Sequence, residues 1–500
     1  MTEKTKSISV LTMNTLAFTA CFACWMMNGV LVTFLADNGL YAWNQAQIGW
    51  LIGTPVLTGS LLRLPVGVLT DKYGGRPVFA VLMLLSAGAL YLISFADGFA
   101  GFFLGSLGFG TAGASFAVGI AYTSVWFKQE NQGTALGVFG AGNAGSALTS
   151  LGAPILLKYL TDDGAHLEGW RQLPRLYAVA LLAMTVLFWL FTFPKKADSG
   201  RGLSLTQRLR PLRELRVWRF GLYYFYVFGG FVALAQWLIP YYVNVYTMSI
   251  ATAGMMTSIF SLPSGVIRAL GGWLSDKFGA RRIMYWVFGT CLACSALLIV
   301  PRMEIYSPGA GVSATAKGVV TEAGEGKVVV GDKVYSYKPR SVRTEGSHDA
   351  NVLVLPKAET WQEPVVVPGQ EVAKKQLLAK GTTHIYFQAN VWIFTALVFI
   401  IGIMMGIGKA AVYKYIPDYF PNQVGVVGGI VGVLGGLGGF FGPIVFGYLL
   451  KATGLWTTCW MFFVALILVC LVWMHRAIQK MMKERVPELM LQVEAKPGAV

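Results

Sequence analysis

Charged residues are scarce in this sequence. They make up 13% of the 500 residues, and only 24 residues are acidic; soluble domains carry about a quarter charged residues. Hydrophobic residues reach 55%, and the chain contains 59 glycines. This composition excludes an ordinary soluble domain and indicates a membrane protein.

Long apolar runs recur along almost the whole chain. A helix needs about 20 apolar residues to cross a bilayer. Barrel strands would alternate over about ten residues, whereas these runs are apolar on all sides. We predict twelve membrane helices, near residues 10–36, 46–70, 77–96, 98–126, 132–158, 173–194, 217–246, 252–275, 281–301, 388–417, 423–450 and 455–478.

Catalytic and metal-ligating residues are also scarce. All four histidines lie outside the centres of the predicted helices, and the two C-x-x-C pairs, Cys21 with Cys24 and Cys291 with Cys294, have no histidine or carboxylate nearby. Such cysteines are more typical of small packing residues than of a metal site. Because no nucleophile and base occur together, we predict neither an enzyme nor a cofactor.

Basic residues concentrate on one side of the predicted membrane. The loop 195–219 contains eight Lys or Arg residues, which makes its side cytoplasmic under the positive-inside rule. An even number of helices places both termini there, with the first apolar run retained as a helix. The net charge of +16 therefore reflects topology in a bacterial inner membrane and attraction to its lipids, not nucleic-acid binding.

The chain divides into two similar halves. "GVLTDKYGGRP" after the second helix matches "GWLSDKFGARR" after the eighth, and glycine ladders in helices five and eleven both end in proline. Two parallel six-helix halves form the major facilitator fold, an all-α membrane architecture. The predicted segments are a half at 1–194, a linker at 195–216, helices seven to nine at 217–301, an insert at 302–387, helices ten to twelve at 388–478 and a tail at 479–500.

The insert differs from the rest in composition. Short alternating runs such as "GKVVVGDKVYSYKP", "NVLVLP" and "EPVVVPGQEV" predict a small β domain, which parity places on the periplasmic side. "VVVPGQEVAKKQLLAKG" resembles the hairpin of a lipoyl- or biotinyl-type barrel, but no lysine flanked by methionines is present. We therefore expect a stabilising or docking element, whose partner the sequence does not name.

Two arginines lie deep in predicted membrane helices. Arg63 and Arg268 occupy equivalent points of the two halves, roughly 12 Å from the cytoplasmic boundary at 1.5 Å per residue. A charge at such depth costs on the order of 3 kcal/mol. A buried ion pair would explain them, but the predicted helix centres contain no Asp or Glu. The pair instead suits a small planar oxyanion that enters from outside, because each guanidinium can bind one in bidentate fashion.

Polar and aromatic residues are predicted around the same site. Asn143 interrupts the first glycine ladder and could donate to an oxyanion, while the glycines themselves are explained by close helix packing. Aromatic residues are expected to line the centre, although packing would also account for each of them: Phe18, Phe22, Phe116, Tyr224 and Phe228.

Together these segments resemble the nitrate/nitrite porter (NarK-type) family of the major facilitator superfamily. The resemblance covers the twelve helices and rests on the arginine segments, on "GVFGAGNAGSAL" and "GGIVGVLGGLGGFFGP", and on "GASFAVGIAYTSVWF". It implies nitrate held between Arg63 and Arg268 with Asn143 alongside. It also implies an aromatic sandwich of Phe116, Tyr224 and Phe228.

Helix ten favours the symporter-like branch of that family. "GIGKAAVYKYIPDYF" places Lys409 deep in the membrane, and "DKYGGR" is intact. We expect an arriving anion to favour the charged form of Lys409 and so to couple proton uptake to nitrate uptake. Lys414, nearer the cytoplasmic end, is expected to extend its ammonium to the interface. The loops resemble the superfamily's gating motif, with Asp71, Arg76, Asp276 and Arg281 as its residues.

The expected function is secondary active transport of nitrate, as used in nitrate assimilation. Nitrate/nitrite antiport and transport of another small anion, such as a carboxylate or cyanate, remain alternatives. So does a sensor in which the insert is the working part and the helices an anchor, although buried arginines argue against a passive anchor.

Overall fold

The computed structural model describes residues 2–195, 210–300, 303–324, 326–340, 357–387, 389–420 and 424–485. The chain forms two compact units: Met1–Ile299 together with Thr395–Val500, and Val300–Phe394. Parts of the predicted linker (196–209), insert (341–356, with "NVLVLP") and tail (486–500) lie outside the described residues.

The first unit is built from helices. Its N-terminal half contains α1 (Glu3–Trp25), α2 (Met27–Asp37), α3 (Gln45–Leu61), α4 (Arg63–Tyr73), α5 (Gly75–Ile93), α6 (Gly98–Phe109), α7 (Ser115–Ser124), α8 (Gln129–Gly140), α9 (Gly145–Leu160) and α10 (Gln172–Phe191). The remaining helices are α11 (Leu215–Tyr224), α12 (Phe231–Tyr246), α13 (Ile250–Val266), α14 (Arg268–Phe278), α15 (Ala280–Leu297), α16 (Val391–Tyr419), α17 (Val424–Thr453) and α18 (Thr458–Arg485).

Several predicted spans are made of two or three consecutive segments. A 3₁₀ turn at Gly110–Ala114 joins α6 to α7, another at Ala141–Ala144 joins α8 to α9, and a π segment at Phe225–Gly230 joins α11 to α12. The break after Leu61 has a local cause. Pro65 has no N–H to donate to the Leu61 carbonyl four residues earlier, so the first helix stops there.

Within the described residues, nine helical stretches are long and apolar enough to cross a membrane, or ten if Ile250–Val266 and Leu270–Phe278 form one span bent by 52°. The two other predicted spans contain helices that fall short of this. One is interrupted by the 3₁₀ turn at Ala141–Ala144, and α15 is 18 residues long with Arg281 and Arg282 in its first turn. The count of twelve therefore stays a prediction.

Glycines allow the two halves to approach closely. A Cβ on Gly53 of α3 would stand 2.6 Å from the Phe440 carbonyl oxygen of α17, and one on Gly265 of α13 would stand 2.9 Å from the Ala144 nitrogen. Each contact joins a helix of one half to a helix of the other. In the glycine ladder predicted in α17, Gly436 faces Ser60 of α3, whereas Gly438 faces Gly229, so small residues let α17 approach both neighbours closely.

We expect Gly53→Ala to lower the thermal unfolding midpoint of the purified protein by a few degrees. The added methyl group must push α3 away from Phe440, and overpacking of this kind costs about 1–3 kcal/mol. Gly67→Ala is the matched control, because a Cβ there meets nothing within 4 Å. Equal midpoints for the two variants would show that the α3–α17 crossing tolerates the methyl group.

The second unit contains two small antiparallel sheets. One has the strand order β1 (Met303–Ser313), β7 (Leu377–Phe387) and β5 (Lys357–Pro364). The other runs β4 (Lys333–Ser336), β3 (Lys327–Val330), β2 (Gly318–Gly324) and β6 (Glu371–Val372). Val320, Val328, Val372 and Leu378 are buried in the hydrophobic core of this unit, to which both sheets contribute. Of the valines in the alternating run "EPVVVPGQEV", Val365, Val366 and Val367 lie in the connection between β5 and β6, and Val372 lies in β6.

Candidate functional site

The two predicted arginines each begin a helical segment at the middle of the first unit. Arg63 opens α4 and Arg268 opens α14, each after a single residue that separates it from the preceding helix. Arg63 is 4% exposed. The duplicated sequence thus produces the same local structure twice, with a guanidinium at each break.

Both guanidinium groups lie against one aromatic ring. The Cζ atom of Arg63 is 5.3 Å from the centroid of the Phe116 ring, and that of Arg268 is 5.4 Å from it. Attraction between a cation and an aromatic face contributes about 0.5–2 kcal/mol. This offsets only part of the cost of bringing two like charges together in a buried place.

Donors on both arginines remain open. The Nη1 of Arg63 donates to the Gly432 carbonyl at 2.5 Å, whereas its Nε has no partner among the described residues. The buried Nη1 of Arg268 has none there either, and neither arginine forms an ion pair with a described carboxylate. The site therefore offers two cations and unsatisfied N–H groups, which is the chemistry that binds an anion.

The predicted aromatic residues gather around the arginines. Tyr224 and Phe228 stack with ring centroids 5.1 Å apart, and Phe228 in turn stacks on Phe116 at 6.4 Å. Phe228 also lies 5.1 Å from the Arg63 guanidinium. Phe18 packs on Phe116 at 5.5 Å, with Phe22 beside it. Flat aromatic faces thus border the space beside the guanidiniums.

Asn143 is fully buried in the 3₁₀ turn Ala141–Ala144. Neither its Oδ1 nor its Nδ2 has a hydrogen-bond partner in the described part of the chain. The turn is close to Arg268, because a Cβ on Gly140 would stand 3.3 Å from the Arg268 Cδ. An unpartnered buried amide costs about 1–3 kcal/mol, and a bound anion could accept a hydrogen bond from this one.

Lys409 is fully buried on the neighbouring helix α16. Its Nζ donates to the carbonyl and the Oγ of Ser264, at 3.3 and 3.2 Å, and lies 3.2 Å from the centroid of the Phe231 ring. Ser264 precedes Arg268 by about one helical turn. Lys409 thus contacts α13, the helix that precedes Arg268. Its contacts with Ser264 and Phe231 are with uncharged groups.

Two of the four predicted gating residues, Arg76 and Asp276, contact residues of their own half. Arg76 donates to the Trp189 carbonyl at 2.5 Å and stacks on the Trp189 ring. Asp276 forms an ion pair with Lys414 at 2.7 Å, and Arg281 borders a cavity near Tyr415. Asp71 lies in the last turn of α4. Lys414, whose ammonium was expected to extend to the membrane interface, thus forms an ion pair with one of the predicted gating residues.

Two residues of the site escaped the sequence reasoning. The Tyr413 ring lies 5.3 Å from the Arg268 Cζ and packs edge-on against Tyr224, and the Trp25 ring lies 5.9 Å from the Arg63 Cζ. Spacing could have found them. Tyr413 follows Lys409 by four residues and Trp25 follows Phe22 by three, so each shares a helix face with a residue already considered.

Comparison with known proteins agrees with this architecture. The family model described as "Major Facilitator Superfamily" matches residues 13–316 and 377–492. Similar solved structures include a bacterial homologue of the human lysosomal transporter Spinster (TM-score 0.60, 15% identity, covering 95% of this chain and 97% of that one). The nucleoside transporter NupG is also similar (TM-score 0.58, 10% identity, 95% and 99%). At these identities the structures establish the fold alone.

Relatives in sequence are more specific. The chain is 38% identical to the probable nitrate/nitrite antiporter NarK1 of Thermus thermophilus, over 99% of this chain and 97% of that protein. It is 30% identical to the nitrite extrusion protein of Bacillus subtilis, over 62% and 76%, and 25% identical to the probable nitrate transporter NarT of Staphylococcus carnosus, over 90% and 91%.

The family model and these relatives make the protein a multi-pass membrane transporter and not an enzyme. The chain belongs to the major facilitator superfamily and, within it, to the NarK-type nitrate/nitrite porters.

Proposed function

We propose that this protein transports nitrate across the bacterial inner membrane, with nitrate bound between Arg63 and Arg268. The observation that supports this most strongly is the pair of guanidiniums on the single Phe116 ring, without an ion-paired carboxylate among the described residues. The anion that neutralises them is then the substrate. Nitrate is planar and singly charged, so it fits between aromatic faces and accepts bonds from both arginines.

In this proposal the twelve helices form two six-helix halves, with both termini in the cytoplasm, that rock about the central site by alternating access. Phe116, Tyr224 and Phe228 border the bound anion, and Asn143 donates to it. The loops with Asp71, Arg76, Asp276 and Arg281 control closure at the cytoplasmic side.

We infer that nitrate moves together with protons and that Lys409 carries the coupling proton. Among the described residues, the Lys409 ammonium contacts the neutral groups of Ser264 and Phe231, so a nitrate ion nearby would be its source of compensating charge. Nitrate entry would favour the ammonium form, which links the two ions thermodynamically.

Nitrate/nitrite exchange is a second candidate, because the relative from Thermus thermophilus that matches 99% of this chain is named an antiporter. The same arginine pair would then bind either anion in turn. Nitrite is smaller than nitrate but is also planar and singly charged.

Uptake by proteoliposomes distinguishes the two mechanisms in one preparation. We expect an imposed proton gradient to drive nitrate accumulation, whereas internal nitrite without a gradient does not. Stimulation by internal nitrite alone would establish exchange instead. Competition tests the substrate: unlabelled nitrate should displace labelled nitrate, and a small carboxylate or cyanate should not.

Removing the insert should leave the transport site intact. We expect a chain lacking 302–387, with a short linker in its place, to retain nitrate binding, because the arginines and the aromatic residues around them all lie in the first unit. Nitrate binding by the purified protein measures this. A folded variant that no longer binds nitrate would instead support a sensing or docking role for the insert.

A further inference from the structure

A second cationic cavity lies away from the arginine pair, at the end of the first unit where α14 meets α15. Its volume is about 650 Å³, and its lining includes Arg216, Arg281 and Arg282. One carboxylate, that of Asp418, also borders it. Three guanidiniums therefore face one acidic group, and the cavity carries a net positive charge.

Aromatic side chains that pack against one another line part of this cavity. Tyr415 stacks flat on Phe220 with ring centroids 5.1 Å apart, and Tyr419 packs against the same ring at 5.7 Å. The Cζ of Arg216 lies 5.5 Å from the centroid of the Tyr419 ring. The guanidinium of Arg216 is therefore held against a defined surface beside the cavity.

The start of α15 adds further donors. The helix begins after Gly279, whose φ of 83° lets the chain turn sharply, and no side chain caps it. Its first turn contains Arg281 and Arg282 and no acidic residue. Open N–H groups and the helix dipole favour an anion at such a point.

The equivalent loop of the N-terminal half is arranged differently. There α5 begins after Gly74, but the guanidinium of its Arg76 is occupied by the Trp189 carbonyl and ring. By contrast, Arg281 and Arg282 form no ion pair or hydrogen bond with another described residue. The two copies of the loop thus differ: Arg76 is held by Trp189, whereas Arg281 and Arg282 have no such partner in the described part of the chain.

We propose that this cavity binds the phosphate group of an anionic ligand, either an anionic lipid headgroup or a soluble phosphate. A phosphate carries more charge and more acceptor oxygens than nitrate, which suits three guanidiniums together with a helix N-terminus. Because Arg216 is on α11, Arg281 is on α15 and Tyr415 is on α16, the ligand would tie three helices of the C-terminal half together at one end.

The test uses the full-length protein in lipid nanodiscs, with the thermal midpoint as the readout of binding. One arm titrates inorganic phosphate in phosphatidylcholine discs, and the other replaces part of the phosphatidylcholine by phosphatidylglycerol. We expect at least one arm to stabilise the wild-type chain. Stabilisation by phosphatidylglycerol alone assigns a lipid headgroup, and stabilisation by inorganic phosphate assigns a soluble ligand.

The double variant Arg281→Gln/Arg282→Gln is expected to need at least about 100-fold more ligand for the same shift, because it removes two charge-assisted bonds and each contributes at least a factor of about ten in affinity. Lys158→Gln/Lys451→Gln is the control. It removes the same charge from exposed lysines in the last turns of α9 and α17 and should respond like wild type. Should the double variant fail to fold, Arg216→Gln tests the same cavity.

Two results would overturn the proposal. One is equal stabilisation of the wild-type chain and the arginine variants. The other is a response that appears only when residues 486–500 are deleted, which would make this C-terminal segment, with Glu488 and Glu494, the occupant of the cavity.

Discussion

Replacing Arg63 or Arg268 by lysine is expected to weaken nitrate binding by about 100-fold or more while the protein stays folded. Lysine keeps the positive charge but lacks the planar fork that makes two parallel bonds to an oxyanion. A charge-assisted hydrogen bond contributes about 1.5–3 kcal/mol, and 2.7 kcal/mol is about a factor of 100 in affinity.

The two arginines should not respond in the same way to removal of charge. Arg63 is anchored by the Gly432 carbonyl and three aromatic rings, whereas the described contacts of Arg268 are the rings of Phe116 and Tyr413. We therefore expect Arg63→Gln to lower the thermal midpoint more than Arg268→Gln does. Both should abolish saturable binding.

Calorimetric titration of purified protein with nitrate measures the affinity. Arg175→Lys is the matched control, because Arg175 donates to Ser94 and lies over the Phe95 ring, outside the arginine pair. If Arg63→Lys and Arg268→Lys bind nitrate as tightly as this control, a point charge suffices and the bidentate arrangement is wrong.

Replacing Lys409 by methionine is expected to abolish proton-driven accumulation while downhill nitrate flux continues. Methionine fills a similar volume beside Phe231 and Ser264 but cannot carry a proton. The arginine pair is unchanged by this substitution, so nitrate should still bind and cross. The expected result is nitrate flux that continues down its concentration gradient but no longer responds to the proton gradient.

The measurement is nitrate uptake in proteoliposomes with and without a proton gradient. Lys451→Met serves as the control, since Lys451 is exposed in the last turn of α17. Accumulation by Lys409→Met that still rises with the gradient would exclude Lys409 as the proton carrier. Loss of both coupled and downhill flux would mean instead that Lys409 supports the structure of the site.

The sequence identified the arginine pair because duplication repeats it within a recognisable loop, and because a buried charge is rare enough to be informative. Phe116, Tyr224 and Phe228 also proved to be neighbours of the arginines. Whether a residue lines the site or packs elsewhere depends on how its helix is rotated about its axis relative to the other helices. Sequence spacing shows which residues share a face of one helix, but it does not show where that face points. Tyr413 and Trp25 are different, because they share a helix face with Lys409 and Phe22, and spacing within each helix could have found them.

The interruptions of the helices were harder to predict from the sequence. Pro65 explains the break before Arg63, but the position equivalent to Pro65 in the second half is Leu270, and a bend of 52° occurs there all the same. The π segment Phe225–Gly230 likewise has no signal beyond its two glycines. These features arise from packing between helices that are distant in sequence, such as Gly229 against Gly438.

A carboxylate introduced beside the arginine pair tests most directly whether the bound anion is the counterion of the two arginines. Asn143→Asp places one in the buried turn beside Arg268 with almost no change in shape, and Asn143→Leu is the uncharged control. If the cargo is the missing counterion, the nitrate-free Asn143→Asp protein should unfold at a higher temperature than wild type and should bind nitrate at least tenfold more weakly. Nitrate binding by Asn143→Asp with wild-type affinity would show that nitrate is not the counterion of the arginine pair.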